Sequence, residues 1–359
     1  MPAPTKPFSR CRCHLTALTL RPRQVMGDRW IEQDDRILTF QQGAAFIIDD
    51  GRQRGRAADE LLRGTPLFYR ELIQGQKLSP ADLYTVIANS HQLAQPDAPF
   101  SIGRQLLPGH DPVLSQLLSQ APTLGDSLHH FITHQHNWLP LTDIQMVETP
   151  ARLRLYFHDR FNLFNHRNVA LWLWLINYSV MALVSFYQWQ LNQSLPWTLA
   201  LPGKAPKHLL AFQQNLGFVP AFKAHCTSLA IPSAMLSCPL TQRSESLYQS
   251  ALIHASERAV SPSSLIDRVR QELRVNLQQP PKLSEVAQQF QISPATLKRK
   301  LKKHRTSYQH LVDECRLYKA VELMEDRHYS SADVAAYFDI PDRSNFRRSW
   351  KRWFAQVPT

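Results

Sequence analysis

From residue 169 to residue 186 the chain reads VALWLWLINYSVMALVSF, 18 residues without one charged side chain. A helix of this length reaches the point at which a membrane span must be considered. A helix apolar on every face is stable only inside lipid or inside protein. The surroundings favour protein: Asn177, Ser179 and Ser185 interrupt the run, the flanks lack strong polar anchors, and the segment sits in a strand–helix–strand order. The expectation is a central helix from about residue 165 to residue 192. A membrane-tethered chain is the rival. Trp172, Trp174, Tyr178, Phe186, Tyr187 and Trp189 make this helix aromatic-rich, so it suits either plain core or the wall of an apolar pocket.

A helix like this needs a large domain around it. With 359 residues the chain has room for two or three domains. Its 43% apolar and 19% charged content supports packed cores and excludes a disordered or collagen-like chain. Before residue 140 helical spacing recurs over 61–73, 80–91, 112–120 and 124–138. A strand pair follows, IQMVE and then ARLRLYFHD, in which Leu153, Leu155 and Phe157 alternate with Arg152, Arg154 and Tyr156. After the apolar helix, WTLAL reads as a strand, 206–216 as a helix, and AFKAH and SLAIP as two short strands. Helices followed by a ββαβαββ order describe an α+β domain with an antiparallel sheet.

The charge is placed unevenly. Residues 261–359 hold 18 Lys and Arg against 11 Asp and Glu, a net +7 that leaves +5 of the chain's +12 to the first 260 residues. Such a concentration of positive charge suits a nucleic-acid partner. Residues 241–262, rich in Ser and Gln, read as a helical connector and linker between a domain at 1–240 and one at 263–359. Ser261 and Pro262 read as the N-cap and first residue of the next helix.

Within the basic region LSEVAQQFQISPATLKRKLKKH holds a short helix, a tight turn at Gln291 and Ile292, and a second helix capped by Ser293 with Pro294 at its first position. Ala287 is small enough to let the two helices cross. Leu297 and Leu301 anchor the second helix and leave its basic residues outward, the geometry of a helix-turn-helix. SSADVAAYFDIPDRSNFRRSWKRWF repeats the device, its second helix starting about 49 residues later at Asp342 with Phe346, Trp350 and Trp353 inward. Between them TSYQHLVDECRLYKAVELMED reads as one long amphipathic helix that fixes the two units. The C-terminal domain is thus all-α, with two helix-turn-helix units joined by a long helix.

These residues resemble the DNA-binding domain of the AraC/XylS family of bacterial transcription regulators. The family usually has Gly-Phe at the second turn, where this chain has Asp339 and Ile340, and a TGxxP ending, where it has FAQVP. Asp is among the residues that tolerate the left-handed conformation a glycine adopts there. The N-terminal half, through GHDPVLSQLLSQAPTLGDSLHHFITHQHNWLPLTDIQMVETPARLRLYF and GKAPKHLLAFQQNLGFVPAFKAHCTSLAIPSAMLSCPL, resembles the sensing domain of AraC-type regulators of ornithine-utilisation type, distinct from the arabinose-binding β-barrel. The resemblance implies effector binding and dimerisation there.

The reading that follows is a cytoplasmic, sequence-specific regulator of transcription. Its partners would be double-stranded DNA, a small-molecule effector, RNA polymerase and a second copy in a homodimer, with no membrane and no cofactor. Thr296, Lys298, Arg299 and Lys300 in the first unit, and Arg343, Ser344, Asn345, Arg347 and Arg348 in the second, are the candidates for phosphate and base contacts. Trp172, Trp174 and Tyr178 are the candidates for effector contact. An apolar effector and an amino-acid derivative are both open. A non-specific basic DNA binder without effector is the alternative function.

Other features read as structural. His130 and His134 stand four apart on one helix, a metal-ligand spacing, but no carboxylate or Cys nearby in sequence completes a site. Cys11, Cys13 and His14 are too few for a closed zinc site. Cys226 and Cys238 lack the context of an alkyl-accepting cysteine, and no phosphate-binding glycine loop or nucleophile elbow is present, so no enzyme and no metal are expected. Five cysteines without framework spacing suit a reducing compartment. The basic N-terminus (Lys6, Arg10, Arg12) leads into Arg21, Arg23, Asp28 and Arg29 rather than an apolar run, so no secretory signal is read.

Overall fold

A computed structural model describes residues 30–93, 96–164, 168–206, 209–257 and 261–354. The cysteines at 11 and 13, residues 165–167, where the apolar helix is expected to begin, and the FAQVP ending beyond Phe354 lie outside the described residues. The architecture is α+β. Seven helices come first: α1 (Ala44–Gln53), α2 (Ala58–Leu61), α3 (Tyr69–Ile73), α4 (Pro80–Leu93), α5 (Ala98–Gly103), α6 (Pro112–Ser119) and α7 (Leu124–His134). The single helix expected over 61–73 is broken in two, because Gly64 takes a left-handed φ of 84° and Pro66 has no N–H to continue the ladder.

Strands β1 (Thr142–Glu148) and β2 (Arg152–Asp159), helix α8 (Val169–Leu191), β3 (Thr198–Ala200), α9 (Leu210–Leu216) and β4 (Ser228–Pro232) complete a four-stranded sheet of order β1-β2-β4-β3, antiparallel throughout. AFKAH forms no strand. Its Ala221 makes one bridge to Ala200, and Lys223 at φ 63° turns the chain out of extended geometry.

Helix α8 is the centre of the first core. It is long and apolar enough to cross a membrane, yet 72% of its most apolar window is buried within the protein. Helix α5 crosses it closely because residue 103 has no side chain: a Cβ there would stand 2.5 Å from the Tyr178 carbonyl oxygen. Helix α10 (Glu245–Ser256), capped by Ser244, packs Tyr248, Ala251 and Ala255 into the same core.

The C-terminal part is all-α: α11 (Leu265–Val275), α12 (Leu283–Gln289), α13 (Pro294–Lys303), α14 (Tyr308–Val321), α15 (Ser331–Tyr337) and α16 (Arg343–Phe354). Helix α11 starts three residues later than Ser261 and Pro262 suggest. Ser264 is its N-cap, in a reciprocal capping box with Asp267. The connecting helix α14 runs on through one wider π turn over Glu322–Asp326.

The two cores meet at the sheet. Leu153, Leu155 and Phe157 point into the first core, while Tyr156 joins the second with Leu265, Val269 and Leu317. On that same β2 face Arg154 and His158 are also buried and Arg152 is half-buried. The polar side of the strand therefore faces the helix-turn-helix half and not solvent.

Candidate nucleic-acid interface

Both helix-turn-helix units close with the same backbone device. In the first, Gln291 sits at φ 55°, its N–H donates to the Gln288 carbonyl, and the Ile292 N–H donates to the Ala287 carbonyl. In the second, Asp339 sits at φ 53°, donating to Ala336, and Ile340 donates to Ala335. This is the Schellman ending of a helix, which needs one left-handed residue. Asp339 does the work usually given to glycine, so the departure at the second turn leaves the geometry intact.

Helix α13 is positioned by its Ser293 cap, whose hydroxyl accepts from the Thr296 N–H, and by buried Leu297, Leu301 and His304. At 100° per residue the face opposite those anchors carries Ala295, Arg299 and Lys302, with Lys298 at its margin, all exposed. Thr296 and Lys300 lie on the flank and are half-buried. Lys300 is hydrogen-bonded to Glu32 and stands 5.4 Å from the centre of the Trp30 ring, and Lys303 reaches Glu32 at 3.0 Å and Asp34 at 2.8 Å. Burial alone would raise the Glu32 carboxyl, but the hydrogen bonds from Lys300 and Lys303 outweigh it and hold the group down at about 2.

Helix α16 is anchored by buried Phe346 and Trp353. Arg343, Ser344, Arg347, Arg348 and Lys351 are exposed, with Ser344 and Arg348 opposite the anchors. Asn345 is partly buried and turned inward at the cap, where its N–H and side-chain amide both donate to Asp342. Arg352 pairs with Asp313 at 3.0 Å. His225, from the first half of the chain, packs on Trp350 and Phe354 with ring centres 5.1 and 5.5 Å away. Each unit thus keeps one basic face open and one flank against the N-terminal half.

A set of buried charges joins the halves. Arg154 binds Asp326 and Glu325, each at 2.8 Å, and the Tyr156 hydroxyl donates to Asp326 at 3.0 Å. Arg160 donates to Asp267 at 3.0 Å and to the Pro262 carbonyl at 2.6 Å. Burial, and then the nearby charge of Asp143, raise the Asp267 carboxyl against the pull of Arg160. His158 lies between Glu314 at 3.3 Å and Arg274 at 3.1 Å. Burial pushes its imidazole down to about 4. Arg270 forks onto Glu314 at 2.9 and 3.0 Å.

Of the aromatic residues of α8 singled out above, Tyr178 lines a cleft with Gly43, Leu83 and Leu175, whereas Trp172 and Trp174 lie outside that lining. The Trp172 indole donates to Thr227 at 3.3 Å, and Trp174 stacks on Tyr178. His130 bonds the Tyr248 hydroxyl at 2.8 Å. Sequence reasoning missed Glu32, Asp34, Asp267 and Asp326. The polar alternation of β2 was visible, but nothing local says which carboxylate meets Arg154.

Residues 55–240 match the family described as the arabinose-binding domain of AraC transcription regulator, N-terminal, and residues 286–359 match a helix-turn-helix domain family. The chain is 24% identical over 157 residues to the ornithine utilization regulator of Pseudomonas aeruginosa, a stretch covering 43% of this chain and 46% of that protein. It is 31% identical over 77 residues to the HTH-type transcriptional regulator GadX of Escherichia coli, covering 21% of this chain and 28% of GadX. The chain thus matches less than half the length of these curated relatives. The crystal structure of the transcriptional regulator CdpR from Pseudomonas aeruginosa aligns over 90% of this chain and 98% of its own, at 16% identity and a TM-score of 0.43.

Proposed function

As the chain belongs to the AraC family of transcription regulators, with a family match across just over half its length, we propose that it binds double-stranded DNA sequence-specifically through α13 and α16 and answers to a small molecule held in its N-terminal half. The observation that carries this reading is the pair of matched helix-turn-helix units, each with a buried apolar side and an exposed basic side, held in one relation by α14. Two such helices suit successive major-groove segments. Lys298, Arg299, Arg343, Arg347 and Arg348 supply phosphate anchoring and base reading. Thr296, Lys300, Ser344 and Asn345 complete the set, Lys300 only when its pairing with Glu32 opens. The domain division at 1–240, 241–262 and 263–359 rests on the Ser- and Gln-rich stretch between the two halves, and the cytoplasmic location, a homodimer, a contact with RNA polymerase and the absence of catalysis rest on family membership.

Selection of bound sequences from random DNA by the full-length protein is the deciding experiment. A single two-part site is expected, its occupancy falling steeply with salt as phosphate contacts are lost. Enrichment of no sequence would leave the non-specific binder. Repeating the selection with small-molecule fractions of a bacterial extract tests the effector reading: at least one fraction should shift the occupancy, and indifference to every fraction would remove it.

A further inference from the structure

His158 of β2 lies on the sheet face that meets the helix-turn-helix half and is buried there. Titratable groups close on it from three elements. Its partner in the β1–β2 register is Asp143, which faces His136 at 3.8 Å. From α11, Arg274 reaches its Nε2 at 3.1 Å. From α14, Glu314 stands 3.3 Å from its Nδ1, and the Tyr318 ring packs on the imidazole with centres 4.1 Å apart. Arg270 and His310 act on Glu314 through their charge. Burial pushes the neighbouring Cys315 thiol up to about 12, so it stays protonated.

The two ring contacts fix the tautomer. An arginine side chain only donates, so Nε2 turns a lone pair towards Arg274, and Nδ1 carries the proton towards Glu314. A second proton would go to Nε2, where it meets an N–H of Arg274: two donors and two like charges face to face. With the ring neutral, Asp143 and Glu314 balance Arg270 and Arg274. A proton on His158 leaves one buried cation in excess, which is costly. Arg274 is the cation with a way out. Its side chain is 25% exposed against 2% for Arg270, and it stands in the last turn of α11 beside exposed Val275. Its other partner, Asp143 at 3.7 Å, is the residue paired with His158 across the sheet.

We propose that His158 is a proton-operated latch between the two halves. The neutral ring holds Arg274, and with it the last turn of α11, against the sheet; the protonated ring keeps Glu314 and expels Arg274 to solvent. The Arg154–Asp326 and Arg160–Asp267 pairs hold the rest of the interface. From α11 the chain runs through 276–282 into α12, so the seam that opens is the one beside the first helix-turn-helix unit. The latch depends neither on an effector nor on DNA binding, and its test needs neither.

Burial holds the closed ring at about 4, with Glu314 opposing and Arg274 adding to it. The opened ring takes its proton nearer its ordinary 6.5, so opening gains as pH falls from about 6.5 towards 4, by about tenfold between pH 7 and pH 5. In the full-length protein, nitrogen NMR of the histidine rings reads tautomer and titration, the His158 signal being the one lost in His158→Gln. Amide-exchange protection factors at the two pH values read the last turn of α11. A lone pair on Nε2 is expected at pH 7. Protection over 272–275 should fall about tenfold at pH 5, while 311–317 in α14 stays protected. His158→Gln should abolish that fall, and Arg274→Met should move the His158 titration upward. Loosening that starts from Asp267, raised to about 6 at the other end of α11, persists in His158→Gln and is thereby separated. An Nε2–H tautomer at pH 7, a titration indifferent to Arg274→Met, or an equal fall in wild type and His158→Gln overturns the latch. Should His158→Gln not fold, Arg274→Met decides alone: its last turn should be poorly protected at both pH values, and wild-type protection there overturns the proposal.

Discussion

Arg154 on β2 and Asp326 at the end of the connecting helix meet at 2.8 Å, with the Asp326 side chain wholly buried. The pair ties the sheet to the helix-turn-helix half across 172 residues of sequence. Breaking such a pair from one side strands a charge, which typically costs about 3–5 kcal/mol, while replacing both partners is far milder. Arg154→Met should therefore lower stability by an amount of that order, and Arg154→Met with Asp326→Leu should recover much of it. Urea unfolding of the three proteins checks this, and equal losses in the single and double variants would contradict it.

Glu32 holds two lysines of α13, the helix proposed to read DNA in the first unit. Glu32→Gln should release Lys300 for phosphate, while Lys303 keeps its pairing with Asp34, and tighten DNA binding about two- to fivefold at low salt, with the gain shrinking as salt screens it. Titration of a labelled duplex at two ionic strengths measures it. A weakened complex would mean that the contact supports the fold of α13 and does not compete with DNA.

Arg299 and Arg347 belong to different units on exposed faces. Arg299→Ala should relax base preference in one half of the selected site and Arg347→Ala in the other, each by about 1–3 kcal/mol at its own position if it reads a base. A uniform loss across sequences would mark a phosphate anchor instead. Unchanged site and affinity in both variants and in their combination would remove α13 and α16 as DNA readers.

Acid should destabilise the fold above the range in which ordinary carboxylates are protonated, with the buried Asp159 and Asp267 carboxyls, raised to about 6, opposing part of the effect. Burial pushes His130 and His158 down to about 4 and His136 to about 3. Unfolded, each takes a proton near its ordinary value of 6.5, so the unfolded state binds more protons and stability is lost as pH falls from about 6.5 towards 4. At His158 burial keeps the ring neutral, Arg274 donating to Nε2 adds to it, and Glu314 at Nδ1 pulls the other way. His158→Gln should flatten the fall in Tm between pH 7 and pH 5. A Tm that stays level over that range in the wild type would contradict the assignment.

Gly103 is where α5 crosses α8. Gly103→Ala would place a Cβ 2.5 Å from the Tyr178 carbonyl oxygen and 3.0 Å from the Met181 Cβ. The helices must separate, and overpacking of this kind costs about 1–3 kcal/mol. Calorimetry should show a lower Tm. A rise, as for an ordinary helical Gly→Ala change, would mean that the crossing is looser than described.

The sequence by itself determined what depends on neighbours within a few turns. The period of Leu297 and Leu301, the small Ala287 and the basic faces specify the first helix-turn-helix, and the same spacing specifies the second. The charge-free run at 169–186 required a buried helix or a membrane span. Tertiary structure decided what depends on distant partners. The alternation in β2 set Arg154 on the face opposite Leu153 and Leu155, but alternation tells which residues share a face and not what covers it, and only packing buries Arg154 and His158 against the helix-turn-helix half. Lys300 read as a free DNA contact until Glu32, 268 residues earlier, was brought beside it. Trp172, Trp174 and Tyr178 were equal candidates on one aromatic helix. Only packing sets Tyr178 at a cleft with no partner for its hydroxyl among the described residues, because a cavity is the space left between elements and has no local sequence pattern of its own.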